Sequence, residues 1–247
     1  MDLGLADRVY VVTGGTKGLG RAAAEALVAD GARVVVSSRS QDSVDAAVRA
    51  LGERARGVAA DNAEPGTAQR LTGEALDAWG RLDGALVSVG GPPGSNALEA
   101  TDEQWRAAFE SVFLGAVRLA RAVAPHLPEH GALGLVLSTS VKEPLDGLEI
   151  SNGLRPGLAM WIKHVADELG PRGVRAFGLL PGRVLTDRLL SVLPDPDDRE
   201  ADARSIPLRR FGNPEEFGRV AAFMLSPAAS YLTGLVVPVD GGVLRSL

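Results

Sequence analysis

Cysteine is absent from the 247 residues, so disulfides, thiolate metal sites and cysteine nucleophiles are excluded. Tyrosine is nearly absent too, with only Tyr10 and Tyr231. The three histidines, at 126, 130 and 164, show no metal-ligand spacing, and no metal site is expected. An excess of positive charge is also lacking: 26 Lys and Arg face 31 Asp and Glu, for a net charge of −5. That balance argues against a broad phosphate-binding surface, so no nucleic-acid partner is expected. No stretch reaches the roughly 18 uninterrupted apolar residues of a membrane span. The opening MDLGLADRVYVVTGG has early acidic residues and lacks the basic start and apolar core of a signal peptide. The expected address is the cytoplasm, with no membrane partner.

What is present is an alternation of two kinds of segment. Apolar residues make up 45% and charged residues 23%, as in an ordered globular protein. Short apolar runs at Val9–Thr13, 33–37, 55–60, 85–89, 133–138, 174–180 and Leu235–Val239 read as strands. Between them, residues 20–29, 42–51, 65–79, 101–127, 154–169 and Pro214–Leu225 read as helices, the fourth broken near 109–111. Strands that are continuous apolar runs joined by helix-length crossovers imply a parallel sheet covered on both faces. The expected fold is α/β: a single domain, residues 1–247, with a doubly wound Rossmann-type sheet. Residues 186–206 are a polar, proline-bearing insertion (PDPDDREADA within it), read as a substrate lid.

The first strand runs into Thr13-Gly14-Gly15-Thr16-Lys17-Gly18-Leu19-Gly20 and then a helix. A glycine-rich turn there lets backbone N–H groups and a helix N-terminus approach a pyrophosphate. Strand two ends in Ser38-Arg39 with no acidic residue between 34 and 40. An acid at this point favours NAD, whereas arginine accommodates the 2′-phosphate of NADP. With Lys17 as a second cation, NADP(H) is favoured over NAD(H).

The TGxxxGxG spacing resembles the short-chain dehydrogenase/reductase family, and the resemblance extends over nearly the whole chain. Asp61-Asn62 after strand three resembles the family's pair at the adenine ring. Ser88-Val89-Gly90-Gly91 takes the place of its Asn-Asn-Ala-Gly, and Pro181-Gly182-Arg183-Val184-Leu185-Thr186 resembles its nicotinamide-side segment. Residues 207–216 and 233–242 resemble its C-terminal signature. The resemblance implies cofactor contacts from Gly14, Thr16, Lys17, Gly18, Leu19, Gly20, Ser38, Arg39, Asp61, Asn62, Gly90, Arg155, Pro181, Gly182 and Val184. It also implies NADP(H)-linked interconversion of a carbonyl and an alcohol, in the manner of the family's 3-oxoacyl reductases.

The same resemblance exposes a departure at the reaction centre. The family uses Ser, a Tyr-x-x-x-Lys pair and an Asn. The Ser falls on Ser140, with Ser138 as the alternative. Ser151 takes the place of the Tyr, Arg155 that of the Lys, and Val112 that of the Asn. A serine hydroxyl is too weak an acid to do a phenol's work, and losing a positioned acid/base costs about 10²–10⁴ in rate. Arg155 can hold ribose hydroxyls and supply fixed positive charge. Lys142 is the nearby lysine, read either as a solvated loop residue or as an approach to the carbonyl from the other side. Two readings follow: an oxidoreductase with catalytic residues Ser140, Ser151 and Arg155, or a dinucleotide-binding protein that has lost turnover.

Trp105, Phe109 and Phe113 make a helical stripe read as core or subunit interface. Residues 243–247 are apolar enough to join an interface, and the family implies a homotetramer (or a homodimer). The loop 91–97 and the lid would line the pocket for a small-molecule carbonyl or alcohol substrate. Arg183 and Arg188 at its mouth suggest an anionic substrate.

Overall fold

The sequence VYVVT becomes the buried strand β1 (Val9–Thr13) because each face of it meets a different layer of helices. Val9 and Val11 belong to one core, with Leu71, Leu119, Leu133, Leu158 and Ile162. Tyr10 and Val12 belong to the other, with Leu27, Val34, Phe177, Phe217 and Leu225. The two-residue period of a strand sends alternate side chains to opposite faces, and here both faces are dry. Burying one such leucine or valine contributes about 1.5–3 kcal/mol.

The computed structural model describes residues 2–92 and 94–246. Met1, Pro93 of the expected pocket loop and Leu247 of the C-terminal segment lie outside the described residues. The other strands are β2 (Arg33–Ser38), β3 (Ala55–Ala59), β4 (Gly84–Val87), β5 (Ala132–Val136), β6 (Arg175–Pro181) and β7 (Leu235–Val239). They form one seven-stranded sheet in the order β3-β2-β1-β4-β5-β6-β7, and every pairing is parallel. The chain winds outward from β1 to β3 and then returns to lay β4 on the other side of β1. That reversal opens a crevice beyond the C-terminal ends of β1 and β4, the place where such sheets bind ligands. The expected doubly wound α/β fold is the observed one.

On one face lie α1 (Gly18–Ala29), α2 (Gln41–Leu51) and α9 (Pro214–Leu225). On the other lie α3 (Thr67–Trp79), the α4–α5 rod (Asp102–Ala108, Gly115–Val123) and α6 (Glu149–Leu169). Their starts follow from capping: Ser40, Thr101 and Asn213 precede α2, α4 and α9, and Thr101 and Asn213 complete capping boxes with Gln104 and Glu216.

Three expectations change. The fourth helix does not break near 109–111; it widens into a π-helical stretch over Phe109–Leu114 and continues. Phe109 and Phe113 stack there with ring centroids 5.3 Å apart, and Val112 is buried beneath them. Helix α6 begins at Glu149 rather than 154, and it carries Pro156 inside. Proline removes one donor, but burial of Ile150 and Ser151 and the Asn152 amide, bonded to both backbone groups of Leu145, hold the first turns helical. The polar insertion is not irregular. It folds into α7 (Asp187–Val192), capped by Thr186, and α8 (Pro196–Ala203), capped by Asp195 with Pro196 at its first position. No helix among the described residues is long and apolar enough to cross a membrane.

Candidate active site

The crevice is built at the switch between β1 and β4. Thr13 and Ser88, at the two strand ends, are joined twice: the Ser88 N–H donates to Thr13 Oγ1 at 3.0 Å, and that hydroxyl donates to Ser88 O at 3.2 Å. Gly14 follows with φ +57, and a Cβ on it would lie 2.3 Å from Ser88 O. Only glycine fits a turn that is both left-handed and pressed against backbone. Gly14→Ala is therefore expected to cost about 2 kcal/mol or more in unfolding free energy. Chemical denaturation measures it, and a neutral change would show that the turn relaxes freely.

At the N-terminus of α1, Lys17 occupies the cap position, and no side chain among the described residues caps the helix. The first-turn N–H groups are left for a ligand, and an anion is the group they suit. Lys17 is exposed beside them. Arg39, just past β2, is exposed and makes no ion pair or hydrogen bond among the described residues. Ser38 donates its hydroxyl to Ser40 O at 3.3 Å. Asp61 accepts the Ala63 N–H at 2.9 Å, and Asn62 lies against Gly115 of α5. Gly90 is exposed, Pro181 and Gly182 end β6, and Val184 is buried in a bridge to Gly212. Thr16, Gly18, Leu19 and Gly20 complete the turn, with Gly20 packed on Gly14 O. These elements share the C-terminal side of the sheet, where the open N–H groups of the glycine-rich turn and the exposed cations are of a chemistry that fits a dinucleotide.

The presumptive reaction centre lies beyond β5. Ser138 Oγ accepts the Ser140 N–H at 3.1 Å and so folds the tight turn Thr139–Val141. Its side chain is thereby committed, and Ser140 projects instead toward α6. Ser140 Oγ and Ser151 Oγ are 3.5 Å apart, and both residues are buried. One helical turn past Ser151, Arg155 is 6% exposed. It donates to Val136 O at 2.6 Å and to Val89 O at 3.3 Å, which ties α6 to the ends of β5 and β4. No carboxylate pairs with it among the described residues. Burial, with Arg188 nearby, pushes its guanidinium down to about 10, which leaves it protonated at neutral pH. The result is a desolvated positive charge beside two hydroxyls.

Neither tyrosine reaches this centre. Tyr10 is buried in the opposite core, donates to Leu225 O at 3.3 Å, and has its phenol pushed up by burial. Tyr231 is fully exposed. Lys142 is exposed on the loop after β5. The two arginines at the pocket mouth are already engaged, which corrects the expectation of an open anion site. Arg183 pairs with Asp202 of α8 at 2.7 Å. Arg188 of α7 donates to Gly91 O and Pro92 O at 2.7 and 2.9 Å, and so fastens the insertion to the segment after β4. These closures link residues far apart in sequence, and only the folded chain reveals them.

A family model described as enoyl-(acyl carrier protein) reductase matches residues 14–244. The chain is 34% identical over 250 residues to dehydrogenase/reductase SDR family member 4 of Sus scrofa, covering 98% of this chain and 89% of that one. It is 31% identical over 253 residues to L-rhamnose 1-dehydrogenase (NAD(P)(+)) of Azotobacter vinelandii, covering 98% and 99%. The fold matches L-sorbose reductase of Gluconobacter frateurii, solved with NADPH and L-sorbose, with a TM-score of 0.94 at 30% identity and 100% of each chain covered. Since these likenesses run from the glycine-rich turn to the C-terminal strand, the chain belongs to the short-chain dehydrogenase/reductase family of oxidoreductases.

Proposed function

We propose that this chain interconverts a carbonyl and an alcohol with NADP(H), using Ser140, Ser151 and Arg155. The observation that carries the reading is the pair of buried hydroxyls 3.5 Å apart beside an unpaired, buried guanidinium. A nicotinamide dinucleotide held at the glycine-rich turn by Lys17 and Arg39 would supply the hydride chemistry. The chain's own part is electrostatic and positional. Two hydroxyls at this spacing can both donate to one substrate oxygen, and Arg155 holds a positive potential where that oxygen becomes an alkoxide. Neither serine gives up its proton outright, so the proton comes from water, relayed across the hydroxyls. The helices of the insertion, held to Gly91 and Pro92 by Arg188, keep bulk water from the pocket. The assembly is read as a homotetramer (or homodimer), supported by the exposure of Phe109 and Met160 on the α4–α6 face.

The preference for NADP(H) rests on Arg39 and Lys17, two exposed cations with no acid beside β2's end. The relative with NAD(P)(+) in its name and the structural neighbour bound to NADPH are in keeping with it. Arg39→Asp is expected to raise the Kd for NADPH about 10- to 100-fold and to leave NADH binding no weaker. Fluorescence titration with each cofactor reads both, and an unchanged NADPH Kd would remove Arg39 from the site.

The competing reading, a dinucleotide-binding protein without turnover, draws on the replacement of the family's Tyr and Lys by Ser151 and Arg155 and on the exposure of Lys142. NADPH consumption against a panel of ketones, aldehydes and polyhydroxy ketones separates the two. Steady oxidation of NADPH supports the enzyme, and tight binding without consumption supports the binding protein.

A further inference from the structure

The segment after β4 and the first turn of α6 meet beside the two serines. The Ser95 N–H donates to Gly147 O at 3.2 Å, and Ser95 forms a parallel bridge with Leu148. In that seam two buried side-chain atoms have no hydrogen-bond partner among the described residues: Ser95 Oγ and Glu149 Oε2. Glu149 directly follows Leu148 and shares the first turn of α6 with Ser151. The neighbouring amides are engaged elsewhere. The Asn152 amide is spent on both backbone groups of Leu145, and the Asn96 amide donates to Glu99 at 2.7 Å. No ion pair joins Glu149 to a cation among the described residues. Buried polar atoms are seldom left unpaired, and orphans that border a reaction centre are suited to a ligand that supplies the missing partner.

We propose that Ser95 and Glu149 form a hydroxyl-recognising subsite that selects polyhydroxylated carbonyl substrates over plain ketones. A carboxylate oxygen only accepts, so it takes an O–H from the substrate, and the serine hydroxyl donates to or accepts from a neighbouring one. A chain of carbons bearing adjacent hydroxyls satisfies both atoms at once, whereas a plain ketone satisfies neither. The sugars named for two relatives, L-rhamnose and L-sorbose, have this chemistry. The inference rests on the oxidoreductase reading above for its kinetic arm, but not for its binding arm.

The test compares L-sorbose and D-fructose with cyclohexanone, in the full-length protein and in the variants Glu149→Gln and Ser95→Ala. Glu149→Gln is expected to raise KM for the polyhydroxy ketones about 10- to 100-fold, and Ser95→Ala less, while kcat/KM for cyclohexanone stays within about twofold. Calorimetric binding of L-sorbose to the NADP(H)-loaded protein is expected to weaken in parallel. Equal losses for both substrate classes, unchanged KM for the polyhydroxy ketones, or a wild-type preference for cyclohexanone would each overturn the subsite. Failure of the redox reading looks different: neither substrate consumes NADPH, and calorimetry then decides, with no L-sorbose binding overturning the subsite and Glu149-dependent binding sustaining it.

Discussion

The double variant Ser151→Tyr with Arg155→Lys is expected to raise kcat for carbonyl reduction about 10²–10⁴-fold over the wild type, the contribution of a positioned acid/base. Ser151 already sits 3.5 Å from the Ser140 hydroxyl on the face of α6 that also carries Arg155. A phenol placed there enters the crevice on the substrate side of Ser140. Its ordinary pKa near 10 can be drawn toward neutrality by an adjacent ammonium, which the second substitution supplies. Both changes are needed, because a phenol without the ammonium stays protonated and a lysine without the phenol has nothing to tune. The wild type should show little pH dependence from roughly pH 6 to 9, where neither serine nor Arg155 titrates. The double variant should acquire a dependence in that range. Steady-state NADPH oxidation across pH measures both effects. A double variant no faster than wild type, while still binding NADPH, would mean that the missing phenol is not what limits the chemistry.

The fold was legible because its strands are unusually plain. A run such as RVVVS, buried on both faces, reads the same in sequence as in space, and the helices between are opened by Ser40, Thr101 and Asn213 or closed by glycines. Legibility failed where two local signals conflict. Pro156 argues against helix, and the buried positions 150, 151, 154 and 155 argue for it; tertiary burial won, and α6 starts five residues earlier than expected. The polar insertion was read only as a lid, but Pro196 stands at the first position of a helix, where its missing donor costs nothing, and Asp195 caps it. The π-helical stretch follows from no residue pattern, since widening a turn depends on what packs beneath it.

The site divides along the same line. The glycine turn, Arg39 and the four-residue spacing of Ser151 and Arg155 are local features, and sequence finds them. The partners of Arg183 and Arg188 lie in other segments, and their state is settled only when those segments meet. That is why an open anion site was expected from two arginines that the fold instead spends on Asp202 and on the carbonyls of Gly91 and Pro92. It is also why Glu149, an ordinary acidic residue at a helix start, gave no signal before folding brought it beside Ser95.

Replacing Arg155 by methionine should separate stability from function. Its guanidinium is pushed down to about 10, first by burial and then by the Arg188 charge. A shift of that size corresponds to about 3 kcal/mol against folding at neutral pH. Because the folded-state value lies below the unfolded one, that penalty is fully present below about pH 10 and fades as pH rises above it. Against it stand the bonds to Val136 O and Val89 O. Leaving two buried carbonyls without that donor costs about 1–3 kcal/mol each. Methionine fills most of the volume, removes the charge penalty and forfeits both bonds, so the two changes oppose each other. The unfolding free energy of Arg155→Met is therefore expected to fall by no more than about 3 kcal/mol. Turnover should nonetheless fall about 10²–10³-fold, because the positive potential facing the developing alkoxide is gone. Urea denaturation and NADPH oxidation on the same preparation read the two quantities. A loss of more than about 3 kcal/mol accompanied by lost activity would make Arg155 a structural tie between β4, β5 and α6. An unchanged fold with unchanged turnover would remove it from the chemistry altogether.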